Sequence, residues 1–126
     1  MTTARDWVWT LEAQLDVAAF ARQRVRRVLS AERVAEACAD DAVLLISEVV
    51  ANAVLHGCGP ITVRTTREDR CWTFSVSDTS PELPQREPGS LDALGGGLRI
   101  LDAVAESWGV EPDGPHGKRV WFQLTS

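Results

Sequence analysis

Apolar and polar positions follow two different periods along this chain. In "WVWTLEAQL", Trp7, Trp9 and Leu11 fall on every second residue, which predicts a short strand. Asp16 then stands as a candidate N-cap for a helix whose apolar positions are Val17, Phe20, Ala21, Val25, Val28 and Leu29. Ser30 offers a break and a second N-cap. From about residue 32 to 56 the steps of three and four return: Val34, Ala35, Cys38, Ala42, Leu45, Val49, Ala53 and Val54. Gly57 is placed to end this second helix in a left-handed conformation, and "HGCGP" (56–60) reads as a turn. "ITVRTTR" (61–67) and "CWTFSVSD" (71–78) alternate around the tight turn "EDR" (68–70), so together they predict a β-hairpin. Trp72, Phe74, Val76 and Asp78 share one face of its second strand. A third helix follows, with Leu98, Leu101, Val104, Ala105 and Trp108 on one face and Gly109 closing it. "PDGPHG" (112–117) is a turn and "KRVWFQL" (118–124) a last strand.

Hairpin strands beside helices predict an α+β fold, a two-layer α/β sandwich with helices on one face of a mixed, mostly antiparallel sheet. The chain has 126 residues, enough for one ordinary domain with its own core, and shows no repeat or linker, so residues 1–126 read as a single domain. Between the hairpin and the third helix lies "TSPELPQREPGSLDALGGG" (79–97). It holds three of the six prolines and four of the nine glycines, and an irregular stretch this long in a compact domain is usually functional or mobile.

Composition narrows the function classes. A net charge of -5 argues against a general nucleic-acid binder, which needs a basic face; the arginines of "RQRVRRV" (22–28) fall mainly on a solvated helix side. No apolar run reaches the length of a membrane span, and the first ten residues lack the apolar core of a secretory signal, so the expected location is cytoplasmic. Cys38, Cys58 and Cys71 are odd in number and form no CxxC pair, which points to reduced thiols rather than a disulfide framework or a zinc site.

Three features carry chemistry. In "ISEVVANAVLHG" (46–57), Glu48, Asn52 and His56 recur every fourth residue on an otherwise apolar helix. Such positions lie about 40° apart around the axis and form a polar stripe. The stripe faces either water or a polar ligand. Asp78 ends a strand on the face that packs against helices, where a carboxylate is costly unless satisfied. A ligand with an exocyclic amine would satisfy it, although "DTSPE" is also a good turn sequence. In "LGGGLRIL" (94–101), glycines lead directly into a helix, where backbone N–H groups suit phosphate oxygens. One site would unite them, with oxygen ligands for a divalent metal on the helix, phosphates at the glycines, a base at Asp78, and the loop as a lid.

In this order the motifs resemble the ATP-binding domain shared by gyrase, Hsp90, histidine kinases and MutL, with its Bergerat-type fold. The stand-alone branch of anti-sigma-factor serine kinases is the nearer likeness, over about residues 16–124. "LLISEVVANAVLHG" (44–57) is similar to that family's N-box. The resemblance implies that Glu48 is the general base and that Asn52 binds Mg²⁺. It gives His56 a supporting role near the phosphates or the lid. "VSDTSPELP" (76–84) is similar to the G1 box and implies that Asp78 receives the adenine amine. Thr79, Ser80, Pro81 and Glu82 stand where many relatives carry glycines. "GGGLRILDAVAESWGV" (95–110) looks like the G2 box, matching best at Gly95, Gly97 and Leu98, and "GKRVWFQL" (117–124) matches the closing strand. Asp92, Ala93 and Leu94 occupy the place of a basic lid residue, with Arg86 and Arg99 nearby.

The resemblance therefore implies an anti-sigma factor that uses ATP and Mg²⁺ to phosphorylate a serine on an antagonist protein. Its partners would be a sigma factor and that anti-anti-sigma protein, with no direct nucleic-acid or membrane contact, and it would form a homodimer through the sheet, Trp7 and Trp9 marking a candidate edge. Three alternatives remain: a nucleotide-gated binding module without turnover, the catalytic half of a split histidine kinase, and a two-layer domain that binds no nucleotide.

Overall fold

The computed structural model describes residues 4–14, 16–56, 59–79, 96–112 and 117–126, with backbone alone at 56 and 96–98. Residues 80–95 of the loop expected over 79–97, the helix-ending Gly57 and residues 113–116 of the turn expected over 112–117 lie outside the described residues.

The alternating segments pair into one sheet. β1 (Arg5–Leu11), β2 (Ile61–Glu68), β3 (Cys71–Asp78), β4 (Ser107–Pro112) and β5 (Lys118–Thr125) lie in the order β1-β2-β3-β5-β4. All four pairings are antiparallel, so the described residues contain no parallel pair. β2 and β3 form the expected hairpin. Its turn is made possible by Asp69 at φ 57°, a left-handed conformation that aspartate tolerates better than most residues.

Helices cover one face only, giving the predicted two layers. On that face Ile61, Val63, Trp72, Phe74, Val76, Val120, Phe122 and Leu124 are buried. Rings run across the strands: Trp7 stacks on Trp72 at 5.7 Å, Trp72 on Phe74 at 6.2 Å and Phe74 on Phe122 at 4.9 Å. Such pairs contribute about 0.5–1.5 kcal/mol each beyond their buried area. β1 is an edge strand of the sheet, but Trp7 faces the core from it, and Val8 is the exposed apolar residue there. The opposite face of the sheet is polar. Asp6 accepts from Thr66 at 2.9 Å and pairs with Arg64, while Gln123 bridges Ser107 and Thr73 across β4, β5 and β3.

α1 (Val17–Ala31) buries Val17, Ala21, Val25, Val28 and Leu29. Asp16 occupies its N-cap position without a capping side-chain bond. Phe20, expected inside, is 39% exposed, with the Arg24 guanidinium 4.6 Å above its ring. The break after α1 falls at 32–35 rather than at Ser30. The Val34 N–H bonds back to Leu29 O and the Arg33 N–H to Ser30 O, a Schellman closure with Arg33 at φ 58°. Glycine usually fills that position, so the stop carries no sequence signal. α2 (Glu36–His56) then begins later than the expected residue 32.

α3 (Gly96–Val104) is shorter than its pattern predicts. The helix was expected to continue past Trp108 to Gly109. Instead Ala105 N–H closes on Leu101 O, Glu106 N–H joins Gln123 O, and "SWGVEP" becomes β4. Gly109 is a close-approach glycine: a Cβ there would lie 2.7 Å from Trp121 Nε1.

Candidate functional site

α2 is the spine of the site. Ile46, Val49, Val50 and Ala53 bury one side of it against the sheet and its neighbouring helices. Glu48 and Asn52, one turn apart, are partly buried at the margin between that core and the exposed Leu44 and Leu55. The stripe read from the sequence therefore lies neither in the core nor fully in water. His56 is the last residue of α2, described in its backbone only.

Beyond α2 the chain returns beside the end of β3. Gly59, at φ 73°, sits so close to Thr79 that a Cβ would meet Thr79 Oγ1 at 2.1 Å. This contact brings the segment after α2 to the same end of the sheet as Asp78. α2 packs on β3, β5 and α3, so the carboxylate and amide of the stripe share a layer with the start of α3. Gly97 and Leu98 lie in the first turn of α3, where backbone N–H groups have no intrahelical partner. Gly95 lies outside the described residues.

Asp78 closes β3 on the helix-facing side, in phase with Trp72, Phe74 and Val76, and is 6% exposed. Directly opposite it in the β3–β5 register is Lys118, also 6% exposed. Lys118 Nζ lies 3.7 Å from Asp78 Oδ2. The buried carboxylate, for which sequence reasoning invoked only a ligand amine, thus has a partner in the protein itself. Lys118 was missed as a site residue. The signal was available: Lys118, Val120, Phe122 and Leu124 alternate on the buried face, and a lysine in that phase needs a partner.

These groups define what the arrangement can do. Glu48 and Asn52 offer oxygen atoms one turn apart, the donor type that suits a hard divalent cation. Among the described residues no group of three or more His, Cys, Asp or Glu side chains could hold a metal. Mg²⁺ usually keeps several waters and binds through few protein oxygens, a manner that suits such a pair. Asp78 offers an acceptor in a water-poor place, and the α3 start offers N–H donors to an anion.

The profile of the histidine kinase-like ATPase domain matches residues 11–124. No curated protein matches the chain. Among solved structures, the RsbU and RsbW domains of Rv1364c from Mycobacterium tuberculosis are similar, with a TM-score of 0.76 and 23% identity over 96% of this chain. This chain spans only 32% of that one. The SiaB–SiaC complex from Pseudomonas aeruginosa is similar at a TM-score of 0.69 and 15% identity, over 94% of this chain and 88% of that chain. At these identities the likeness to both structures is one of fold.

Proposed function

Because the chain belongs to the histidine kinase-like ATPase domain family, we propose that it is an ATP-binding regulatory protein, an anti-sigma factor with serine/threonine kinase activity toward an antagonist protein. The observation that carries this reading is the pairing of Glu48 with Asn52 on successive turns of α2, at the margin of the core. Nucleotide binding alone has no use for the carboxylate, whereas phosphoryl transfer to a hydroxyl needs a group to receive its proton.

In this reading Asn52 holds Mg²⁺, Asp78 accepts from the adenine amine, and Gly95, Gly97 and Leu98 lie at the phosphates, with His56 in support. The metal, when bound, neutralises charge on the phosphate oxygens. Glu48 accepts the serine proton, and the packing of α2 on the sheet holds its backbone in place. Positioning and charge neutralisation account for most of such a reaction. The partners are a sigma factor and an anti-anti-sigma antagonist protein in the cytoplasm, and the chain acts as a homodimer. Among the described residues no helix is long and apolar enough to cross a membrane. That SiaB is found in complex with SiaC supports a protein partner.

Transfer of labelled phosphate from ATP to a cognate antagonist is the test. Wild type is expected to label it, and Glu48→Ala to lower the rate by at least about 100-fold while still binding Mg-ATP. Full labelling by Glu48→Ala removes the assigned base. A second reading is favoured by Asp92, Ala93 and Leu94, which put no basic residue before the glycines: ATP binds, stays intact and switches partner affinity. It predicts a partner affinity that responds to Mg-ATP with no ADP formed.

A further inference from the structure

Lys118 is the feature that the reading above leaves unused. Lysine is almost never fully buried unless paired. Here the side chain is 8% exposed and the carboxylate facing it 3%. The separation of 3.7 Å allows ionic attraction but exceeds the range of a hydrogen bond. The ammonium carries three N–H donors, and its contact with Asp78 is ionic, so it has donors to offer a ligand. The antiparallel register holds Lys118 beside Asp78 on the same face, so the end of the sheet presents an acceptor and a donor side by side.

We infer that Lys118 is a specificity-determining residue of the nucleotide site: its ammonium donates to a ring nitrogen of adenine, N1 or N7, next to the amine that Asp78 accepts. This rests on the ATP-site reading and deepens it. Adenine carries a donor, the 6-amino group, flanked on either side by an acceptor nitrogen. The Asp78–Lys118 pair is the complement of that pattern. A base lacking the acceptor forgoes the hydrogen bond from the ammonium.

Calorimetric titration of the full chain, with Mg²⁺ present, compares ATP, 1-deaza-ATP and 7-deaza-ATP. Wild type is expected to bind one deaza analogue about 10-fold more weakly than ATP, the usual scale for a lost hydrogen bond to a charged group. Lys118→Met is expected to bind ATP and that analogue alike. Lys118→Ala, which leaves Asp78 in place and opens room for water beside it, gives the same readout should the methionine variant not fold. Equal binding of all three nucleotides by wild type overturns the assignment while the ATP site stands. So does a deaza penalty that persists without Lys118, the result expected if the lysine only neutralises Asp78. Binding of none of the three by wild type overturns the ATP-site reading itself.

Discussion

Thr65 shows what single residues contribute on the helix-facing side of the sheet. It is fully buried in β2, in register with Trp7 on one side and Phe74 on the other, and its Oγ1 has no hydrogen-bond partner among the described residues. A buried hydroxyl without a partner costs roughly 1–3 kcal/mol in desolvation. Valine has nearly the same shape and an equal preference for strands. Thr65→Val is therefore expected to stabilise the fold by about 1 kcal/mol, read as a higher urea midpoint with an unchanged slope. A destabilised variant would mean that the hydroxyl does find an acceptor. At the same scale Asp78 was legible because a carboxylate broke a run of core-facing residues. Lys118 was passed over because it opens its strand, where a charged residue looks ordinary.

At the scale of elements, two endings depend on backbone conformation and close approach. Arg33 holds a left-handed conformation at the end of α1, which costs a residue with a side chain about 1–2 kcal/mol. Arg33→Gly relieves that strain but adds freedom to the unfolded chain, so the expected net gain is about 0.5–1 kcal/mol in denaturant unfolding. Gly109 tests β4. Its would-be Cβ meets the Trp121 indole, so Gly109→Ala is expected to destabilise by about 1–3 kcal/mol through overpacking. If Gly109 were only a helix terminus, the substitution would not disturb Trp121 fluorescence. The predicted helix ran through Trp108 because Leu101, Val104, Ala105 and Trp108 keep a helical spacing. In the fold Trp108 faces the same layer from a strand, partly buried next to Phe122, and donates to Asp102 of α3 at 3.1 Å.

For the whole molecule, the single helix layer leaves one sheet face polar and gathers Asp78, Lys118 and the segment after α2 at one end. A ligand that binds only the folded chain stabilises it by mass action, by about 2.7 kcal/mol at 100 times Kd. Mg-ATP at that excess is expected to raise the thermal midpoint by about 10 °C. Asp78→Asn should lose most of the shift while its ligand-free midpoint stays well defined. Homodimer formation belongs to this scale too: light scattering at micromolar concentration is expected to give twice the chain mass of 13.8 kDa, and a monomer mass removes it from the proposal.

Periodicity alone determined most of this architecture. Burying one stripe of a helix or one face of a strand requires a spacing that is written locally, which is why α1, α2, the hairpin and β5 were legible from residues a few places apart. The stripe of Glu48 and Asn52 was legible for the same reason. Tertiary structure decided the rest. β4 exists because β5 offers an unpaired edge beside it, and no local pattern in "SWGVEP" records that. Arg33 can end a helix because Val34 and Leu29 are drawn together there. Lys118 meets Asp78 of the candidate site only because the β3–β5 register sets them opposite each other, 40 residues apart in the chain. Pairing partners distant in sequence are chosen by the packed whole, since the free energy that selects them arises only once both faces have left water.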